Sequence, residues 1–404
     1  MDSSDSKHYR WILVLFAIIV MMTISIYQYS WSLIAYAIRN ELKWDLATIG
    51  LTFTVYAYCA TFIQPFSGII ADTYGPKKVA FTAAILIGLG FILSSYINSP
   101  IQLYILYGLG SIGVGILYGI STAMAVKWFP DKRGLATGLV VFGFGSGTAI
   151  FNWIIQGILA NGSFRNVFLY MGLLMLALLT PASLLYKYPP PEYTVKRKIN
   201  SKNIESQVNY KPTEMLKTYQ WYLIYFSFTF TVSIVLMFGA QMKMLAKEFN
   251  IPKEYFNMVL ILFPLGNGLS RIVSGTVSDA IGRAKTMVIF YLLLGISILS
   301  LVNFGQNPLS FTAIVFMASL LGGSPFALYP ATIGDYYGSK YATTNYGITY
   351  TAKAWAGLIS GWLSGYLVMQ YGTYRIPLMI VAICSIIAAI ISNPKILKKP
   401  ENKQ

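Results

Sequence analysis

Apolar residues run along this chain in blocks long enough to cross a bilayer, and only short polar gaps separate them. A helix needs about 20 such residues to span the roughly 30 Å hydrocarbon layer, so each block predicts a membrane span. The pattern places spans near residues 11–37, 46–70, 78–97, 101–127, 135–160, 165–187, 219–246, 255–280, 285–305, 309–334, 342–370 and 374–393, about twelve in all. One polar stretch is longer than the rest. It runs from Tyr188 to Thr218, opens with Pro189, Pro190 and Pro191, and carries Lys196, Arg197 and Lys198. Such a stretch predicts a linker, residues 188–218, between a half at 1–187 and a half at 219–404.

Composition agrees with an all-α membrane protein: of 404 residues 56% are hydrophobic and 11% charged, with mean hydropathy +0.59. Lipid must cover what no soluble core could hide. The net charge of +16 does not point to nucleic acid, because the basic residues sit in the gaps between spans rather than on one face or tail. About 21 Lys and Arg fall on one side of the membrane and about 7 on the other, which predicts cytoplasmic termini and a multi-pass protein of the plasma membrane. Membrane lipid is therefore an expected partner, and a monomer is the expected state. Cys59 and Cys384 lie inside apolar runs, so neither disulfide nor metal site is expected. The single histidine, His8, lies in a polar tail, which leaves histidine-based acid–base chemistry without a candidate. No enzyme activity and no cofactor are expected.

The chain repeats itself across the linker. Gly68, Asp72 and Gly75, followed by Lys77 and Lys78, close the second span; Gly275, Asp279 and Gly282, followed by Arg283 and Lys285, close the eighth, about 207 residues later. The glycines permit tight turns, and an Asp at a helix end can pair with basic residues or cap a neighbouring helix. This doubled loop resembles the signature of the major facilitator superfamily. The resemblance implies twelve transmembrane helices in two pseudo-symmetric six-helix bundles.

Two features mislead. Gly108, Gly110 and Gly113 fit the dinucleotide pattern, but they lie inside a span and follow no strand, so they read as helix-packing residues. Asn161 to Ser163 forms a glycosylation sequon that occurs often by chance.

With loops set aside, the full charges left at depth are Arg271 in the eighth span and Lys353 in the eleventh. A charge at mid-span costs about 2.5–3.5 kcal/mol on insertion scales, and function is the usual reason to carry it. Arg271 lies eight residues before Asp279, a depth of roughly 12 Å at 1.5 Å per residue. No Asp or Glu lies deep in any span to neutralise the pair. Two like charges in a low-dielectric cavity repel, and an anion between them relieves the repulsion. A small organic anion is the expected partner, and a simple carboxylate proton relay has no candidate. Aromatic residues flank this depth, among them Tyr29, Trp31, Tyr118, Phe326, Tyr329, Tyr350 and Trp355.

Further runs carry a narrower resemblance. They are Gln28 to Trp31, Lys127 to Ala136 with Gly138, Ser278 and Asp279 through Met287, Asn345 to Gly347, and Ala352 to Ala354. Over nearly the whole length the sequence resembles the oxalate/formate antiporter family, close to the monocarboxylate transporters. The resemblance implies that Arg271 and Lys353 clamp substrate carboxylates and that Gln28, Tyr29 and Tyr118 wall the pocket. Proton-coupled monocarboxylate transporters carry an Asp one turn before this Arg; Asn267 stands there. The alignment places Gly322 and Phe326 where the oxalate carrier has Trp and Tyr, and Tyr350 at its span-eleven Trp, which predicts more room or less polarity on the span-ten side.

The reading that follows is a secondary transporter of mono- or dicarboxylates such as oxalate, formate, lactate or pyruvate, working by alternating access as an exchanger. A proton-coupled monocarboxylate symporter is the first alternative. A non-transporting sensor on the same fold is the second.

Overall fold

A computed structural model describes residues 3–129, 133–189, 209–338 and 341–400. Every regular element among them is a helix. Ten helical runs are long and apolar enough to cross a membrane: Tyr9–Leu42, Leu46–Ser67, Pro76–Ser94, Pro100–Trp128, Leu135–Asn161, Phe164–Leu184, Tyr219–Glu248, Lys253–Ile281, Arg283–Phe304 and Pro308–Tyr337. The twelfth span, Arg375–Ile391, has 17 residues, the shortest length that still crosses. The eleventh is divided into Ala342–Tyr350, Ala352–Leu358, a π-helical turn at Ile359–Leu363, and Ser364–Tyr371.

The chain divides into two compact units. One holds Met1–Leu42 and Val55–Ser201, and the other holds Lys43–Thr54 and Lys202–Gln404. In the first, the third span packs along the fourth and sixth; in the second, the ninth packs along the tenth and twelfth. The glycines of the fourth span serve this packing, since a Cβ on Gly110 would overlap the Tyr27 hydroxyl and one on Gly113 would meet the carbonyl of Ala83.

Span ends differ from the hydropathy reading where polar residues prolong a helix beyond the apolar block. The first span runs from Ser3 to Leu42, interrupted at Ser25 and Ser30. Ser25 turns its hydroxyl onto the carbonyl of Met22 at 2.6 Å, a local bond that competes with the helix ladder. The Tyr107 hydroxyl then donates to the carbonyl of Tyr27 at 2.7 Å, within the interrupted stretch. The tenth span breaks between Gly322 and Pro325, where proline has no N–H to continue the ladder. The linker's last part is ordered against the second unit: Tyr210 N–H donates to Tyr337 O at 2.9 Å, Asn345 Nδ2 donates to Tyr210 O at 3.1 Å, and Pro212–Met215 forms a short helix. Lys196, Arg197 and Lys198 lie outside the described residues.

Repeated devices close the helices of both units. Gly75 and Gly282 take φ of 83° and 92°, values that a side chain at Cβ disfavours. At the opposite helix ends, Glu41 Oε1 accepts from the N–H of Phe164 at 2.9 Å, and Glu248 accepts from the N–H of Tyr374 at 2.9 Å. Each carboxylate satisfies an orphan donor at the positive end of the sixth helix of its own unit.

Candidate functional site

In the second unit, Lys253–Ile281 carries Arg271, and Ala352–Leu358 carries Lys353. Both are buried, at 5% and 3% exposure. The guanidinium carbon lies 5.0 Å over the Phe326 ring, while Lys353 Nζ lies 5.5 Å from the Tyr350 ring and donates to its hydroxyl at 3.4 Å. The two cations act on each other electrostatically. Phe326 and Tyr350 stand 6.4 Å apart, and Phe228 joins them at 6.2 and 5.9 Å. The structure therefore gathers Arg271, Lys353, Phe326 and Tyr350 around one aromatic hub. Rings facing cations contribute through their quadrupole without neutralising them. Asn267, one turn before Arg271, is fully buried.

Phe228 escaped the sequence reading. Nothing marked it among the 24 phenylalanines of the chain, because it carries neither charge nor motif. Trp355 is 46% exposed and bonds to the Tyr225 hydroxyl through Nε1 at 3.1 Å. It points away from the cluster that holds Lys353.

The expected room at Gly322 is not there. A Cβ at this position would already fall within contact of Val235 Cγ2, with Leu294 behind it. Gly322 is a close-packing residue of the tenth span, so the missing indole of the alignment opens no space beside Arg271. Phe326, four residues on, is the span-ten residue that meets the guanidinium.

In the first unit, Tyr29 and Tyr118 both set their rings edge-on to Phe144, at 5.8 and 5.1 Å. Gln28 is fully buried; its oxygen accepts from Tyr56 OH at 3.0 Å, while its Nε2 has no hydrogen-bond partner among the described residues. Leaving such a donor unsatisfied costs about 1–3 kcal/mol, so an acceptor supplied from outside the chain would be welcome there. Phe144 is a second residue that the sequence did not single out.

At the repeated loop, Asp279 Oδ1 pairs with Arg283 Nη1 at 2.6 Å, and Arg283 Nε reaches Asp335 Oδ2 at 3.1 Å. Arg283 also donates to the Ser278 hydroxyl. It ties the end of the eighth span to the end of the tenth. Gly68 and Asp72 lie in the helix Gln64–Tyr74; the side chain of Asp72 is outside what the structure describes. Gly275 has open space about its Cα.

Two segments, residues 13–244 and 221–403, match the Major Facilitator Superfamily model. The chain belongs to the major facilitator superfamily: it is a membrane transporter with the twelve-helix, two-bundle fold, and not an enzyme. Over 384 residues it is 31% identical to the oxalate:formate antiporter of Oxalobacter formigenes, covering 94% of this chain and 90% of that one. It is 32% identical over 385 residues to an uncharacterized 38 kDa protein in the 23S RNA operon of Thermoproteus tenax, 95% of each. A crystal structure of the nucleoside transporter NupG superimposes with a TM-score of 0.72 over 94% of this chain and 98% of that one, at 14% identity. That likeness is one of fold alone.

Proposed function

We propose that this protein exchanges small organic anions across the plasma membrane by alternating access, holding a carboxylate between Arg271 and Lys353. The observation that carries the reading is the burial of these two cations in one aromatic cluster of the second unit. Desolvation and mutual repulsion both oppose that arrangement, and a bound anion offsets both. Arg271 supplies a planar fork for two carboxylate oxygens, and Lys353 a point charge. Phe326 and Tyr350 shape the wall, and Gln28, Tyr29 and Tyr118 are the residues of the first unit expected to meet the cargo. The 31% identical relative is named for oxalate and formate, which supports a carboxylate cargo.

An empty carrier has to reorient with both cations buried and repelling each other, and a bound anion lowers that cost. Exchange is therefore favoured over one-way transport. The charge asymmetry of the loops supports cytoplasmic termini, and the site as built asks for no second copy of the chain.

Proteoliposomes preloaded with unlabelled oxalate, formate, lactate or pyruvate and offered the same labelled anion test this reading. At least one of these pairs is expected to exchange in the wild type and to fail with Lys353→Met. Exchange of none of them, or undiminished exchange by a correctly folded Lys353→Met protein, would refute it.

A further inference from the structure

Lys353 sits on an unusually short length of regular backbone. Ala352–Leu358 is interrupted before Lys353 at Thr351 and gives way after it to the π turn Ile359–Leu363. A π turn shifts the hydrogen-bond register and is frequent at functional places in helices. Thr351 and Ile359 keep helical φ and ψ, so the span continues through both, but the hydrogen-bond register changes at each end of the segment and contacts from a neighbouring span add to what fixes the direction of the ammonium.

The seventh span provides those contacts. It is continuous over Tyr219–Glu248, and Trp221, Tyr225 and Thr229 recur every four residues along one of its faces. Each makes a polar contact with the eleventh span. Trp221 Nε1 donates to Thr349 Oγ1 at 3.1 Å. The Tyr225 hydroxyl bonds Thr351 Oγ1 at 3.0 Å and accepts from Trp355 Nε1 at 3.1 Å. Thr229 Oγ1 lies 3.3 Å from the carbonyl of Ala352, in addition to its own helix's Tyr225 carbonyl at 3.1 Å. Beyond the π turn, Gln241 Nε2 donates to Gly361 O at 3.3 Å, and its oxygen accepts from Tyr374 OH at 2.7 Å.

The registers of these contacts matter more than their number. Thr351 and Trp355 lie four residues apart and share one face of the segment. Lys353, two residues from each, projects about 200° round the axis from that face, at 100° per residue. Tyr225 thus grips the back of the segment at the two positions that flank Lys353, and Thr229 holds the peptide immediately before it. Tyr350, three residues before Lys353, falls on the lysine's side and takes its hydrogen bond. Between helices in lipid, van der Waals packing and interhelical hydrogen bonds act together, and the hydrogen bonds are the directional part.

We propose that Tyr225 and Thr229 are positioning residues for Lys353, setting the rotation of its helical segment, with Gln241 pinning the π turn behind it. The inference rests on the reading of Lys353 as an anion ligand. The ladder touches only the back of the segment, so its loss is expected to weaken anion capture without dismantling the transporter.

The test uses the full-length protein in proteoliposomes, with labelled oxalate and labelled lactate as probes. Tyr225→Phe with Thr229→Val, which keeps shape and removes both hydroxyls, is expected to raise KM about tenfold while the maximal exchange rate stays within about twofold. Thr229→Ser alone keeps the hydroxyl and is expected to leave KM in the wild-type range. The melting temperature of the anion-free protein reports folding separately. If the double variant does not fold, Tyr225→Phe alone carries the test, with a KM increase of about threefold expected. An unchanged KM in a folded variant, or a fall in maximal rate alone, would overturn the inference. A Lys353→Met protein with wild-type KM for the probes would instead overturn the anion-site reading. Loss of exchange in Lys353→Met beside normal KM in the hydroxyl variants would remove the positioning proposal only.

Discussion

The two units use the same structural devices at their rims and different chemistry at their centres. Gly75 and Gly282 turn the chain with the same left-handed φ. Glu41 and Glu248, 207 residues apart in sequence, cap the sixth helix of their respective units. Trp128 Nε1 donates to Lys187 O at 2.6 Å in one unit, and Tyr336 OH to Leu397 O at 2.8 Å in the other, each joining the fourth helix of the unit to the chain just past the sixth. Counting back from Arg271 by the same offset of about 207 residues reaches Gln64. Gln64 donates its Nε2 to the carbonyl of Gly115 at 3.0 Å. The counterpart of Lys353 falls between Gly143 and Ser146, where no residue is charged and Ser146 bonds the carbonyl of Phe142 at 2.9 Å. The first unit spends these polar groups on its own backbone. The second places cations there, and the difference teaches that the repeat preserves scaffold while one half has specialised for charge.

The largest expected effects break this asymmetry directly. Lys353→Met is expected to lower exchange at least about 100-fold, and Arg271→Lys about tenfold or more, because the fork is lost although the charge remains. Gln64→Ala and Ser146→Ala, at the matching places of the first unit, remove single hydrogen bonds worth about 1 kcal/mol and are expected to leave exchange within about threefold. Initial rates in preloaded proteoliposomes measure all four. Equal losses in both units would mean that the charge is not what separates them.

A second pair separates packing from chemistry on the tenth span. Gly322→Trp is expected to prevent stable folding, since overpacking costs about 1–3 kcal/mol even for modest additions and Val235 already fills the space. Phe326→Tyr keeps the ring beneath Arg271 and adds a donor, so it is expected to fold normally and raise the preference for dicarboxylates over monocarboxylates by a few-fold. Melting curves and competition between oxalate and lactate report the two outcomes.

Smaller still are the rims. Glu41→Gln and Glu248→Gln are each expected to destabilise by about 0.5–1 kcal/mol and by similar amounts, as helix N-terminal charges do. A strong difference between their melting temperatures would show that the repeat is not energetically equivalent at its caps. Asp45 offers a pH handle outside the membrane. Partial burial pushes its carboxyl up, but the hydroxyl and N–H of Thr48, at 2.5 and 2.7 Å, pull it further down, for a net lowering. A depressed folded value means that its contribution is present at neutral pH and is lost only as pH falls below about 4. Solvent screening limits it to a few tenths of a kcal/mol, so Asp45→Asn should lower stability by that slight amount at pH 7, and the difference from wild type should shrink as pH falls below about 4.

The spans and the two cations were legible because lipid imposes a coarse rule on sequence: apolar length reports crossing, and a charge inside such a length stands out. The breaks were not legible. Ser25 bends its hydroxyl onto its own helix at Met22, while Tyr107 to Tyr27 and Gln241 to Gly361 reach the interrupted stretch and the π turn at Ile359–Leu363 from other helices, and hydropathy carries no trace of any of these bonds. Phe228 and Phe144 were hidden for a related reason, since an aromatic hub differs from ordinary core only by its neighbours. Gly322 shows the opposite failure. A missing bulky residue predicts space in the site, whereas Val235 and Leu294 occupy that space.

Counterflow against an empty-vesicle control tests the central claim most directly. Vesicles holding the purified protein and unlabelled oxalate or lactate inside are expected to take up the labelled anion, empty vesicles to take up little, and Lys353→Met vesicles to take up little in either case. Concentrative uptake into empty vesicles under an imposed pH gradient, or full counterflow by Lys353→Met, would contradict the account.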